Sequence, residues 1–250
     1  MAQTNRHAAA AAAAVPAPGQ SFVDATRGLV RPVIASSVLF MLVTGLAYPL
    51  LTTGVANVLF PSQARGSLVV RDGVTVGSTV IGQNFARTDY FHPRPSATVG
   101  TDPADPAKTV DQPYNAAGSG ASNQGATSKK LLADITARVR VYRQQNGLAE
   151  NAPVPVDAVT ASASGLDPDI SLANARLQAA RVAHARGATV AQVLALVEQI
   201  AAPRQLAVLG EPRVPVLALN LALDRAFGET ADKTAGKAAE KSTGKAAGTR

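Results

Sequence analysis

Two serines in a run of small residues, Thr160-Ala161-Ser162-Ala163-Ser164-Gly165, are the first place to look for a nucleophile. An activated serine needs a general base within hydrogen-bond reach. In one widespread form it also needs a G-x-S-x-G turn that lifts its hydroxyl clear of the backbone. That turn is missing here, and the 3 histidines offer little: His7 stands near the start, His92 lies between Phe91 and Pro93, and His184 is only a generic base on a helical stretch. Polar turn residues account for these serines more simply than chemistry does. Gly120 and Gly125 have the separation of the glycines in a phosphate-binding loop, but Ala126-Thr127 follow where Lys and Ser/Thr are required, so nothing reaches a phosphate. Asp157, Asp167 and Asp169 would suit a cation, yet Pro168 between two of them and Ser171 just beyond favour a loop that caps a helix. No histidine stands at metal-ligand spacing from another ligand, and the cysteine count of 0 excludes disulfides, a thiol nucleophile and thiolate metal sites. The expectation is a chain with no catalytic, cofactor or metal residues of its own.

The elements that carry these residues can be read from periodicity. Ser67–Val70 and Val74–Val76 flank Asp72-Gly73, a turn signal between two short strands. Thr79 to Phe85 suggests a further strand, and the prolines of Tyr90-Phe91-His92-Pro93-Arg94-Pro95 hold that stretch extended. Residues 99–127, rich in Asp, Pro, Gly, Ser and Asn, read as one long surface loop. Leu131, Ile135, Val139 and Tyr142 then make a helical stripe, capped by Thr127 or Ser128 and ended by Gly147. Ser171 caps a second helix over Leu172–Arg186 that stops at Gly187. Thr189 with Gln192 forms a capping box for a third, whose face is Val190, Val193, Leu194, Val197 and Ile200. Val214 to Leu219 reads as a strand before a short helix begun at Asn220. The sum is α+β: a single compact domain over 61–228.

Ahead of that domain, no charged residue occurs from Pro32 to Ala64. Val33–Leu51 (VIASSVLFMLVTGLAYPLL) contains ten Val, Ile, Leu or Phe residues. At about −0.3 to −0.6 kcal/mol each, they favour insertion by about −3 to −6 kcal/mol before small polar penalties. Residues 29–60 therefore read as one transmembrane helix and its exit, with Pro49 kinking it near the end. A cleaved signal peptide is the competing reading, since Arg27 and Arg31 precede the run and Gly54-Val55-Ala56 resembles a cleavage site. The run is longer than a signal core and continues through Val58-Leu59-Phe60, which favours an uncleaved anchor. Arg6 and the amino terminus tip the charge balance toward an N-terminus inside the cell and a domain outside.

The ends are compositionally distinct. Residues 1–28 include seven alanines, Ala8 to Ala14, followed by Val15-Pro16-Ala17-Pro18, and 229–250 place Lys233, Lys237, Lys241 and Lys245 among Ala, Gly, Ser and Thr. Neither has an apolar face to bury, and both read as disordered. Of the net charge of +7, residues 1–31 and 229–250 hold +2 each, leaving +3 spread along the middle with 0 Trp, so a nucleic-acid groove is not indicated.

Several strings taken together resemble the C subunit of the bacterial Kdp-type potassium-transporting ATPase. They are Thr44-Gly45 and Tyr48-Pro49-Leu50-Leu51, then Gly66-Ser67, Gly77-Ser78, Ile81-Gly82-Gln83-Asn84-Phe85 and Tyr90 through Ala97. Tyr114-Asn115, Val159 through Pro168, Gln178 with Arg181-Val182-Ala183, Ala185-Arg186-Gly187 and Leu219 through Asp224 follow in order. The likeness spans 29–226. One departure is Ala121, in Ser119-Gly120-Ala121-Ser122-Asn123-Gln124, where the family has a second glycine; alanine is tolerable there if its φ is negative. The resemblance implies a non-catalytic, single-pass subunit of the bacterial inner membrane. Its partners would be a channel-like potassium subunit, a P-type ATP-hydrolysing subunit and the lipid bilayer. ATP, Mg and potassium would be used by the complex. The implied roles, in order, are assembly support, an outer cap near the potassium entrance, and help in nucleotide binding, which ranks last because the phosphate-reaching lysine is missing. Gln83, Asn84, Arg94, Ser162, Ser164, Gly165, Asp167, Gln178 and Arg181 are the candidate docking residues. A tethered periplasmic binding or enzyme module acting alone is the alternative.

Overall fold

The computed structural model describes residues 22–228, in two units that meet at Arg65/Gly66. The expectations for residues 1–21 and 229–250 lie outside the described residues.

The first unit is helical: α1 (Phe22–Leu42), a π-helical turn (Val43–Ala47), α2 (Tyr48–Leu59) and the short α3 (Pro61–Ala64). The apolar stretch Gly28–Leu59, 32 residues, is long enough to cross a membrane, since a helix rises about 1.5 Å per residue and the hydrocarbon core is about 30 Å thick. Pro49 has no N–H for the helical ladder, and just before it the backbone widens: the Tyr48 N–H bonds Val43 O, five residues back. Polar side chains in the stretch turn inward on their own helix. Thr44 Oγ1 donates to Phe40 O at 2.6 Å, Thr52 Oγ1 to Tyr48 O at 2.9 Å and Asn57 Nδ2 to Thr53 O at 2.9 Å. Such donors would otherwise be expensive to carry into hydrocarbon.

The second unit is α+β. Strands β1 (Leu68–Arg71) and β2 (Val74–Ser78) pair antiparallel across Asp72-Gly73, whose φ angles of 51° and 80° are those of the turn expected there. Thr79 to Phe85 does not add a strand. Its Gly82 N–H bonds Leu166 O, and Gln83 Nε2 folds back onto Val76 O at 2.6 Å, so tertiary partners take the groups a ladder would need. The 99–127 stretch contains a hairpin, β3 (Val99–Thr101) with β4 (Thr109–Asp111), too short and too exposed to leave an apolar alternation in the sequence. Ala121 keeps out of the positive-φ region, which is why alanine is tolerated there.

Helix α4 (Lys129–Gln145) starts at Ser128, whose hydroxyl accepts from the Leu131 N–H, and a short α5 (Val156–Val159) follows. Helices α6 (Leu172–Arg186) and α7 (Val190–Ile200) begin at Ser171 and at the Thr189/Gln192 capping box, as their sequences indicate. Strand β5 (Asp169–Ser171) pairs with β6 (Arg213–Pro215), and α8 (Val216–Phe227) completes the unit. The expected Val214–Leu219 strand is thus mostly helix. Pro215 ends the ladder and opens α8, and the buried residues Val216, Leu217, Leu219, Asn220, Leu223 and Asp224 follow a helical period. The core joins α6, α7 and α8 to β5–β6. Ala175, Ala179, Val182 and Ala183 give α6 a small-residue face against α7 and share one cluster with Val193 and Val197 of α7 and Leu219 and Leu223 of α8, all fully or nearly fully buried.

Candidate functional site

Helix α6 has a second stripe, and it is polar: Asn174 and Gln178, both buried, and the half-buried Arg181, at i, i+4 and i+7. It faces the proline-rich stretch, which has no strand partner for its backbone. Gln178 supplies one, accepting from the His92 N–H at 2.8 Å and donating from Nε2 to His92 O at 3.1 Å. Asn220 of α8 does the same for Phe91, with Oδ1 2.8 Å from its N–H and Nδ2 3.1 Å from its carbonyl. Two side-chain amides thus replace a neighbouring strand around a phenylalanine that is 0% exposed. Arg181 binds the carbonyls of Thr88 and Tyr90, the latter at 3.0 Å, along with Asn146 Oδ1 and Gln178 Oε1. Burial draws its guanidinium down to about 10.

The clamp continues toward the start of the segment. Arg186 donates to Asp89 O at 2.7 Å and to Asp224 Oδ1 at 2.9 Å, and its guanidinium lies 4.8 Å from the centre of the Tyr90 ring. Tyr90 Oη and Arg71 Nη1 both reach Asp224 Oδ2 at 3.2 Å, which ties the first hairpin to α8. Burial, with Asp224 second, raises the Tyr90 phenol. His92 Nε2 stands 2.9 Å from Arg87 O, the arrangement of a donor, and burial followed by the charge of Arg181 lowers the ring below the usual histidine value.

At the other end, the 160–171 loop meets the segment. Arg94 Nη1 donates to Asp167 Oδ2 at 2.8 Å, Ser96 Oγ donates to Gly165 O at 2.8 Å, and Tyr114 Oη donates to Arg94 O at 2.8 Å. Gly165 sits at φ 69°, where an added Cβ would meet the Thr98 methyl at 2.5 Å and Gly120 O at 2.7 Å, so only glycine fits. Ser164 Oγ accepts from the Leu166 N–H at 3.1 Å, and Ser164 O accepts from Gly120 N–H at 2.9 Å. Ser162, 5% exposed, places its N–H on Pro95 O at 3.3 Å, but its hydroxyl has no partner among the described residues. The three aspartates considered as a cation site are separately engaged. Asp157 holds Ser171 and Asn174, Asp167 holds Arg94, and Asp169 holds Arg213 at 2.9 Å.

The nine candidate residues therefore fall in four places. Arg94, Ser162, Ser164, Gly165 and Asp167 come together at the loop junction, while Gln178 and Arg181 belong to the α6 clamp. Gln83 stands apart, bound to β2, and Asn84 is exposed on the wall of a cleft of about 490 Å³ that Pro95, Tyr114, Arg138 and Val141 also line. Sequence reasoning missed Tyr142, Asn174 and Asn220. Tyr142 Oη donates to Asn174 Oδ1 at 2.8 Å, and Gln178 Nε2 to the same oxygen at 2.9 Å. The available signal was the polar 174/178/181 stripe between alanines on a helix otherwise read only for its caps. What this arrangement does chemically is hold backbone: apart from Arg94 Nε and Ser162 Oγ, which are buried without a partner, its side-chain donors and acceptors are spent on main-chain groups and on each other, and among the described residues no base is aligned on either serine.

The family described as "KdpC: K+-transporting ATPase, c chain" matches residues 30–225. A "Potassium-transporting ATPase KdpC subunit" of Rhodopseudomonas palustris (strain TIE-1) is 55% identical over 197 residues, 79% of this chain and 96% of that protein. Proteins of the same description from Bradyrhizobium diazoefficiens, 54% identical over 197 residues, and Methylobacterium nodulans, 52% over 199 residues, cover 96% and 98% of their own lengths.

Proposed function

The chain belongs to the family of c chains of K+-transporting ATPases, an accessory rather than the catalytic subunit, and from that membership we propose that it stabilises assembly of the potassium-importing complex. The partners in this reading are the channel-like potassium subunit and the P-type ATP-hydrolysing subunit. A module acting alone does not fit a c chain.

The observation that carries the reading is the internal use of the candidate residues. Gln178, Arg181, Asn220 and Arg186 lock the Tyr90–Pro95 stretch from two helices, and Arg94, Ser96 and Gly165 lock the loop beside it. Such a body presents a preset surface, which lowers the ordering cost of association. ATP, Mg and potassium are handled by the partner subunits in this reading. The Gly120 N–H, the group a phosphate would want, is already bonded to Ser164 O. We further place the N-terminus in the cytoplasm and the α+β unit outside the inner membrane, where a cap over the outer potassium entrance is the second role in rank.

Because the chain has 0 Cys, orientation can be tested cleanly. With Ser21→Cys and Gln144→Cys introduced singly in the assembled complex, an impermeant thiol reagent on intact cells is expected to label position 144 and spare position 21. The reverse pattern would overturn the orientation. Loss of both large subunits on purification through this chain is the result that would overturn the assembly role.

A further inference from the structure

Between α7 and β6 the chain doubles back at Gln205–Leu209. The Gln205 N–H bonds Leu209 O and the Leu209 N–H bonds Gln205 O, both at 2.9 Å, while the Val208 N–H reaches Gln205 O at 3.2 Å. The turn is closed by its own backbone and needs no side chain to hold it. Its tip residues are nevertheless unusual. Leu206 and Ala207 sit at φ 51° and 64°, left-handed conformations that Asn and Gly adopt far more readily. The side chains stand in solvent: Leu206 is 85% exposed, Val208 72% and Leu209 57%. A turn whose only task is to reverse the chain would be served better by polar residues at every one of these positions.

The flanks narrow the choice of what covers the tip. Arg204 is paired with Glu211 at 2.7 Å and Arg213 with Asp169 at 2.9 Å, so the base of the turn is electrically neutral. A loop that enters an anionic lipid surface combines Trp, Tyr or Phe with free Lys or Arg, and residues 204–211 have neither an aromatic ring nor an unpaired cation. A rigid, aliphatic, uncharged knob instead matches a preformed apolar socket in a protein, where buried contacts at the centre of an interface carry most of the affinity.

We propose that the Leu206–Leu209 tip is an assembly plug that seats in an uncharged apolar socket on an integral-membrane subunit of the same complex. The proposal rests on the reading of this chain as an assembly subunit and adds to it the contacting surface. It also separates docking from the clamp: the candidate residues named from sequence shape the domain, and the tip touches the partner.

A double substitution, Leu206→Asn with Ala207→Gly, tests this without endangering the fold, because both new residues suit the left-handed backbone. Full-length chain, tagged and expressed with its complex, is captured from detergent-solubilised membranes. The partner subunits retained after washing are quantified, and thermal unfolding of the purified full chain is followed by far-UV circular dichroism. The expected result is at least about tenfold less partner retained, a loss typical of removing an interface hot spot, with an unfolding temperature unchanged or higher. Retention equal to that of the unsubstituted chain would overturn the plug and leave the assembly reading standing. If the unsubstituted chain itself retains no partner, the assembly reading fails and the plug with it. The lipid alternative has its own arm: Val208→Cys carrying an environment-sensitive fluorophore is measured in the full chain alone, reconstituted in phosphatidylcholine/phosphatidylglycerol vesicles, and in the complex. A blue shift confined to the complex supports the plug, and the same shift in vesicles alone overturns it in favour of lipid.

Discussion

The Tyr90–Pro95 stretch and the Gln205–Leu209 turn are both irregular backbone, yet they are held in opposite ways. The first has no ladder of its own and takes its hydrogen bonds from side chains more than 80 residues away in sequence, |i−j| being 86 for Gln178 to His92 and 129 for Asn220 to Phe91. The second is closed by bonds within five residues and leaves its side chains in solvent. A segment held from outside transmits damage to the whole unit, because its partners are core residues of α6 and α8. A segment held by itself can change its surface without disturbing anything behind it. The same contrast separates what makes this subunit fold from what makes it useful to a complex.

The hardest test of that contrast is Asn220→Ala. It orphans the buried N–H and carbonyl of Phe91 together and leaves a void beside a fully buried ring. Each orphaned group costs about 1–3 kcal/mol, so the loss for the two is expected at about 2–6 kcal/mol. Urea unfolding of the full chain, followed by circular dichroism because the chain has 0 Trp, reads it directly. A loss below about 1 kcal/mol would show that the segment does not depend on the clamp. Leu206→Asn with Ala207→Gly in the same assay supplies the contrast, since it is expected to leave the midpoint where it was.

How much of this was visible beforehand follows the same division. Elements specified by local chemistry were legible: the Asp72-Gly73 turn, the Ser128, Ser171 and Thr189 caps, and the apolar run before the domain each depend on a few adjacent residues. The Thr79–Phe85 and Val214–Leu219 strands were misread because their outcome depends on distant partners. Gly82 is held by Leu166, and α8 begins at Pro215 to bury a helical face that a short apolar run cannot reveal. At the site, the strings that mark the family contain Gln178, Arg181 and Asn220 alike, but only the first two stand out as docking candidates; Asn220, 42 positions beyond Gln178, reads from sequence as the start of a helix. The amides of Gln178 and Asn220 act as a pair only once α6 and α8 pack. The tip at Leu206 gave no signal, because exposure is a property of the fold.

A smaller effect sharpens the clamp side. His92 is half-buried, its pKa lowered mainly by burial and next by Arg181. With the folded-state pKa below the unfolded value of about 6.5, the unfolded chain binds more protons as pH falls through that region, so stability declines with acidification. The decline begins near pH 6.5 and levels off once pH is below the folded-state value. His92→Asn is expected to flatten this part of the pH–stability curve while leaving other titrations in place. An unchanged curve would show that the Arg87 carbonyl, the one contact opposing the shift, compensates for burial.

The smallest expected effect is Ser162→Ala, and its sign is the informative part. Among the described residues, Ser162 Oγ is a buried side-chain atom with no protein partner, next to a loop whose other polar groups are bonded. A hydroxyl that takes part in docking or chemistry would be missed, whereas an unsatisfied buried hydroxyl costs desolvation energy with no return. Replacing it by alanine keeps the Cβ, leaves the Ser162 N–H on Pro95 O, and is expected to change stability by less than about 1 kcal/mol, toward stabilisation. Potassium-stimulated ATP hydrolysis per assembled complex is expected to stay within about twofold of the unsubstituted rate. Removal of a true nucleophile would instead lower turnover by about a factor of a million. The two readings lie so far apart that a single preparation decides between them: abolished turnover in a fully assembled Ser162→Ala complex would return the 160–171 loop from structure to chemistry, and an unchanged rate would place it with the clamp.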